Sequence, residues 1–151
     1  MSHARIVGAG LIGTSIALGL SKEGWTIEIS DKNARSAALA HDLLQGSLSV
    51  GSADLVVVAT PPNEVVATLK SEFAANPKAT FIDTTSVKTN VLQEVEALPA
   101  LARQFVGSHP MAGREIGGAQ SAQGDLFRGR AWILTPTSLT YKSAKIGRAH
   151  V

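Results

Sequence analysis

The chain has 151 residues, 44% of them hydrophobic and 17% charged, with no cysteine and a formal charge of +2. That length supports one domain with a substantial core, and the composition suits a globular α/β protein. Lack of cysteine excludes disulfides, thiolate catalysis and cysteine-ligated metals. The histidines at 3, 41, 109 and 150 lack metal-ligand spacing, so no metal is expected. Three of the 14 basic residues, Lys142, Lys145 and Arg148, lie in the last ten positions; removing them leaves 11 basic against 12 acidic. The basicity belongs to the tail and does not point to nucleic acid. No apolar run reaches membrane-spanning length, so no membrane partner is expected. The first strand starts too early to leave room for a signal peptide, and a cytoplasmic location is expected.

Residues 3–7 read as a first strand. A helix follows from 11 to about 23, with Ile12, Ile16, Leu18 and Leu20 among its apolar positions and Gly24 as its stop. Residues 26–30 form a second strand, and Asn33 can cap a helix running to about 44. The Gly/Ser-rich stretch 45–52 is loop. Residues 54–59 are a near-continuous apolar run, as a strand buried on both faces requires. Thr60-Pro61-Pro62 ends that strand, and a helix spans about 63–73. Residues 79–82 are the next strand, Asp83 to Ser86 leads into a helix of about 87–97, and 104–106 is a short strand followed by a long loop from Gly107. Residues 131–134 are the last strand.

Strands alternating with helices predict a doubly wound, mostly parallel sheet. Ligands of such sheets bind outside the strand carboxyl ends. Thr60-Pro61-Pro62, Asp83 to Lys88 and Gly107 to Glu115 all fall at those ends and should converge on one cleft.

Gly8-Ala9-Gly10-Leu11-Ile12-Gly13 sits between the first strand and first helix, the context in which GxGxxG means dinucleotide binding. The first glycine permits a tight turn, the second lets backbone approach a pyrophosphate, and the third lets helix pack on strand. The amides of the helix start, at Leu11 and Ile12, hold phosphate charge. Asp31 closes the second strand at the distance where an acidic residue binds the adenosine ribose. Together these predict a Rossmann-type domain for NAD.

His109 follows a buried strand in a loop rich in proline and glycine. Histidine can accept and return a proton near neutral pH. As a loop residue it is either structural or an acid–base catalyst. Ser86 is either a helix N-cap or a contact to substrate or His109. Lys88 reads as a solvated helix-start residue, Asp83 as structural, and His41 as a surface residue.

Gly8–Ser15, Asp31, Ala59-Thr60-Pro61-Pro62, Thr85-Ser86-Val87-Lys88, Ser108 to Glu115, Leu126-Phe127 and Trp132 to Pro136 occur in an order that resembles the cofactor domain of prephenate/arogenate dehydrogenases, enzymes of tyrosine biosynthesis. The resemblance covers roughly residues 3–137. It implies an NAD-dependent oxidative decarboxylation of prephenate or arogenate. His109 would receive the substrate's hydroxyl proton, Ser86 would contact that histidine or the hydroxyl, and Glu115 would organise the substrate entrance. Gly8, Gly10, Leu11, Ile12, Gly13, Asp31, Thr60 and Pro61 would hold the cofactor. The family also carries a helical C-terminal domain that makes the homodimer and supplies an arginine for the substrate's ring carboxylate. The chain stops where that domain would begin, so it reads as an inactive fragment: a domain over 1–137 and a tail over 138–151 that is either adapter read-through or a disordered terminus. Ile116-Gly117-Gly118 departs from the family's usual Lys-Ser-Gly. Two alternatives stand beside this reading, another dehydrogenase of the β-hydroxyacid/6-phosphogluconate type and a non-catalytic NAD-binding module.

Overall fold

Four apolar residues, Leu55–Val58, form a strand buried on both faces, and the sheet is built outward from it. The computed structural model describes residues 2–45, 51–112, 117–142 and 144. Its strands are β1 His3–Val7, β2 Thr26–Ser30, β3 Leu55–Val58, β4 Thr80–Asp83, β5 Phe105–Pro110 and β6 Trp132–Pro136. They lie in the order β2-β1-β3-β4-β5-β6. The first five are parallel; β6 runs antiparallel to β5. Its helices are α1 Leu11–Lys22, α2 Ala34–Leu44, α3 Val65–Ala75, α4 Thr89–Glu96 and α5 Pro99–Gln104.

Side chains alternate across a strand, so β3 feeds two cores. Leu55 and Val57 pack with Ile16, Leu20 and Leu44 of α1 and α2. Val56 and Val58 pack with Leu69, Val91 and Leu101 of α3, α4 and α5. Helices on both faces make this the doubly wound α/β architecture expected from the alternation of elements. No helix of the described residues is long and apolar enough to cross a membrane.

Local chemistry sets the element ends. Gly24, at φ +86°, lets α1 close with the Gly24 N–H on Ser21 O and the Trp25 N–H on Leu20 O, a Schellman stop. Asn33 caps α2, its side chain accepting from the Ser36 N–H at 3.1 Å.

Several expectations need correction. The strand expected to end at 106 runs to Pro110, so His109 lies on β5, opposite Ile133 of β6, rather than in a free loop. Gly107, Ser108 and Pro110 are poor strand formers; pairing with β6 overrides that preference. The final strand runs antiparallel to β5, within the mostly parallel sheet expected. A short helix, α5, precedes β5, where no element was expected. Packing also continues past 137: the Thr140 hydroxyl donates to Phe105 O at 2.7 Å, and Ala144 is buried. Residues 143 and 145–151 lie outside the described residues.

The β4–β5 ladder registers only Phe81 with Phe105 and Ile82 with Val106. Beyond it, Asp83 takes over. One carboxylate oxygen accepts the Ser108 N–H at 3.0 Å, the other meets the Lys88 ammonium, and the Asp83 carbonyl accepts the Ser108 hydroxyl. Asp83 is fully buried and the Lys88 side chain only 14% exposed. Lys88 is therefore not the solvated residue expected. Burial pushes the Asp83 carboxyl above the usual carboxylate range, against the pull of Lys88, and pushes the Lys88 ammonium down.

Lys88→Met should leave that carboxylate buried without its cation and cost about 3 kcal/mol in urea unfolding near about pH 8. A carboxyl with a raised folded pKa loses stability as pH climbs through that folded value. The variant should therefore regain part of its loss at about pH 5, where protonation of Asp83 relieves the buried charge. A deficit that does not change with pH would contradict the buried-pair reading.

Candidate functional site

The turn from β1 into α1 uses its glycines unequally. Gly8 sits at φ +109°, and a Cβ there would lie 2.3 Å from Ala59 O. A Cβ on Gly13 would come within 1.9 Å of the Gly8 carbonyl oxygen. The protein's own packing requires both. Gly10 differs: a Cβ on it would meet nothing within 4 Å among the described residues, and its backbone, φ −79° and ψ −164°, suits any residue. What Gly10 leaves open is space beside the start of α1, where the first-turn amides, Leu11 and Ile12 included, have no partner within the helix. That space fits a pyrophosphate, which backbone amides and the helix dipole would hold.

The turn lies where the strand order reverses. The Gly8 N–H donates to Ser30 O of β2 at 2.8 Å, and the Ala59 N–H beyond β3 donates to Val7 O at 2.7 Å. Asp31 is fixed at the end of β2. One carboxylate oxygen accepts the Ala9 N–H at 2.8 Å, the other the Asn33 N–H at 2.7 Å. Gly8, Asp31, Thr60 and Pro61 line one cleft of about 190 Å³ together with Lys32 and Glu64. The Thr60 hydroxyl is buried without a partner among the described residues, as fits a side chain that a bound polar ligand satisfies. Lys32 and Glu64 form an ion pair at this cleft.

The second cluster stands at the ends of β4 and β5. Ser86, three residues past Asp83, is exposed. The helix-cap alternative for it is overturned: α4 begins at Thr89, and no side chain caps it. His109 is half-buried and adjoins Ser108, which Asp83 holds. Neighbouring strand ends thus carry both residues; Asp83 holds Ser108 beside His109 and Lys88 two residues past Ser86, and among the described residues no hydrogen bond joins Ser86 to His109. Glu115 lies outside the described residues. His41 is exposed, with Nε2 2.9 Å from Ile29 O.

Sequence reasoning missed Lys88, Ser108 and Glu64. A cation five residues after a strand-end aspartate was a usable signal for Lys88. Ser108 and Glu64 carried none, since their partners lie 25 and 32 residues away.

Residues 11–145 match the family described as prephenate dehydrogenase, nucleotide-binding domain. A probable prephenate dehydrogenase of Streptomyces niveus is 35% identical over 99% of this chain and 41% of its own length. The structure of prephenate dehydrogenase from A. aeolicus, in complex with hydroxyphenyl propionate and NAD+, superposes with a TM-score of 0.86 at 30% identity, over 99% of this chain and 56% of that one. The arogenate dehydrogenase of Synechocystis gives a TM-score of 0.87 at 25% identity, over 98% of this chain and 55% of that one. The chain thus spans about two-fifths of the curated relative and just over half of each solved structure. With the glycine turn, the strand-end aspartate and the family match in agreement, the chain belongs to the prephenate dehydrogenase family, as its nucleotide-binding domain.

Proposed function

We propose that this chain is the NAD-binding half of an enzyme that oxidatively decarboxylates prephenate or arogenate in tyrosine biosynthesis. The observation that carries this reading is the open space at Gly10, in a turn whose other two glycines are fixed by packing. When bound, NAD supplies the hydride acceptor. Asp31 accepts from the ribose hydroxyls through lone pairs its two amide bonds leave free, and the α1 amides carry the pyrophosphate. His109, as neutral imidazole, takes the proton of the substrate's ring hydroxyl as hydride leaves the same carbon; carbon dioxide departs and the ring becomes aromatic. Ser86 hydrogen-bonds that hydroxyl or the imidazole. Glu115 orders the substrate entrance. The rest of the substrate site and a homodimer interface belong to the segment by which relatives exceed this chain. A cytoplasmic setting suits such an enzyme. Of the two alternatives, the β-hydroxyacid type rests on structural neighbours of 14–17% identity, which share the fold alone. The non-catalytic module is separated by assay.

That assay offers prephenate and arogenate, each with NAD and NADP, to the protein of the complete reading frame. Reduced cofactor together with released carbon dioxide is the expected result. The 151-residue chain alone should bind NAD weakly and turn over nothing. A complete protein that binds NAD and oxidises neither substrate would support the module instead.

Gly10→Val should fold normally by circular dichroism yet lose NAD binding, because the new side chain fills only the space left for the pyrophosphate. Gly13→Val should instead damage the fold, because its side chain must displace backbone. Normal NAD affinity in folded Gly10→Val would refute the site. In the complete enzyme, His109→Asn should retain cofactor affinity and lower kcat by about 10²–10⁴-fold, the usual contribution of a positioned acid–base group. Ser86→Ala should lower it less. Near-normal kcat in His109→Asn would make the histidine a structural strand residue.

A further inference from the structure

The ion pair between Lys32 and Glu64 lies beside Asp31, the residue placed at the cofactor's ribose. Its geometry is held from the Glu64 side. The Glu64 N–H donates to Pro61 O at 2.9 Å, and the Thr68 hydroxyl donates to Glu64 O at 2.8 Å, so the turn between β3 and α3 fixes the backbone that presents this carboxylate. The Glu64 side chain is 31% exposed, whereas Lys32 is 76% exposed and reaches in from the turn after β2. An exposed pair of this kind adds little to stability. Its importance lies in the charge it sets.

Asp31 alone discriminates poorly when a lysine stands next to it, since that ammonium can neutralise a phosphate on the ribose 2′ position. Glu64 removes this loophole. With it, Asp31, Lys32 and Glu64 sum to one negative charge; without it, they sum to zero and the ammonium is released. Arg35, on the first turn of α2, is exposed and does not line the cleft. We infer that Glu64 is a specificity-determining residue that holds Lys32 away from a 2′-phosphate and so keeps the site selective for NAD over NADP. This deepens the cofactor reading above and rests on it.

Three proteins test it: the chain as it stands, Glu64→Gln and Lys32→Gln, each titrated calorimetrically with NAD and with NADP. The charge at the ribose runs from zero in Glu64→Gln, through one negative, to two negative in Lys32→Gln. NADP affinity should follow that order in steps on the order of tenfold, as Coulomb's law gives for a multiply charged phosphate at a solvated cleft. NAD affinity should follow the same direction in clearly smaller steps, since NAD carries the pyrophosphate but no phosphate on the ribose. The NADP steps should also shrink between about 0.05 M and about 0.5 M salt, as screening of exposed charges requires. A pair that merely ties two loops together would move both nucleotides by equal steps that salt does not shrink. Unchanged NADP affinity in Glu64→Gln, with NAD still bound, would overturn this inference and leave the cofactor site standing. A parent chain that binds neither nucleotide would overturn both.

Discussion

Backbone meets backbone at the turn between β1 and α1, and the rest of the molecule is arranged to permit it. The Gly8 carbonyl, the Gly13 Cα and the Ala59 peptide approach too closely for any side chain to stand between them. That contact brings α1 down onto the sheet and sets the first strand's end against the third's. It also aims the helix amides at the open space beside Gly10. The two apolar clusters that sandwich the sheet supply the free energy that keeps these three segments pressed together. A side chain at Gly13 would thus do more than crowd a loop; it would lift a helix.

A parallel arrangement gathers strand ends on one edge, and the site uses this twice. At β1 to β3 the gathered ends form the cleft lined by Gly8, Asp31 and Thr60. At β4 and β5 they carry Ser86 and His109, with Asp83 holding Lys88 and Ser108 between them. Strands lose their ladder near their ends, and here the lost ladder bonds are replaced by one carboxylate that accepts from a backbone amide and a lysine. The same burial that disfavours its charge makes its partners indispensable. Antiparallel β6 then pairs along β5 through His109 and Pro110 and shapes the histidine's surroundings from the other side.

Legibility in the sequence followed the range of the interactions involved. The glycine turn, the Gly24 stop, the Asn33 cap and the double-sided β3 run were readable because each depends on residues within a few positions. The true length of β5 was not, because Gly107-Ser108-His109-Pro110 has no strand character of its own and takes its conformation from β6, over twenty residues later. The six-residue α5 is too short for helical periodicity to emerge, and its Pro99 reads equally as a loop residue. Lys88 was misjudged because exposure was inferred from residue type, whereas a buried carboxylate five positions earlier decided it. For Ser86 and His109, the sequence placed both at strand ends but gave no sign that Asp83 holds Ser108, the residue beside the histidine.

Asp31 has two duties, and they differ in how freely they can change. Besides the ribose contact proposed for it, its carboxylate ties the fully buried Ala9 amide to the start of α2 through Asn33. Replacing it would strand a buried donor, at about 1–3 kcal/mol. Glu64 carries no such structural tie through its side chain, whose partner is an exposed lysine. Substitution at the edge of the cleft is therefore structurally cheaper than substitution at its centre. A change at Glu64 leaves the β1–α1 turn intact, whereas a change at Asp31 loosens it.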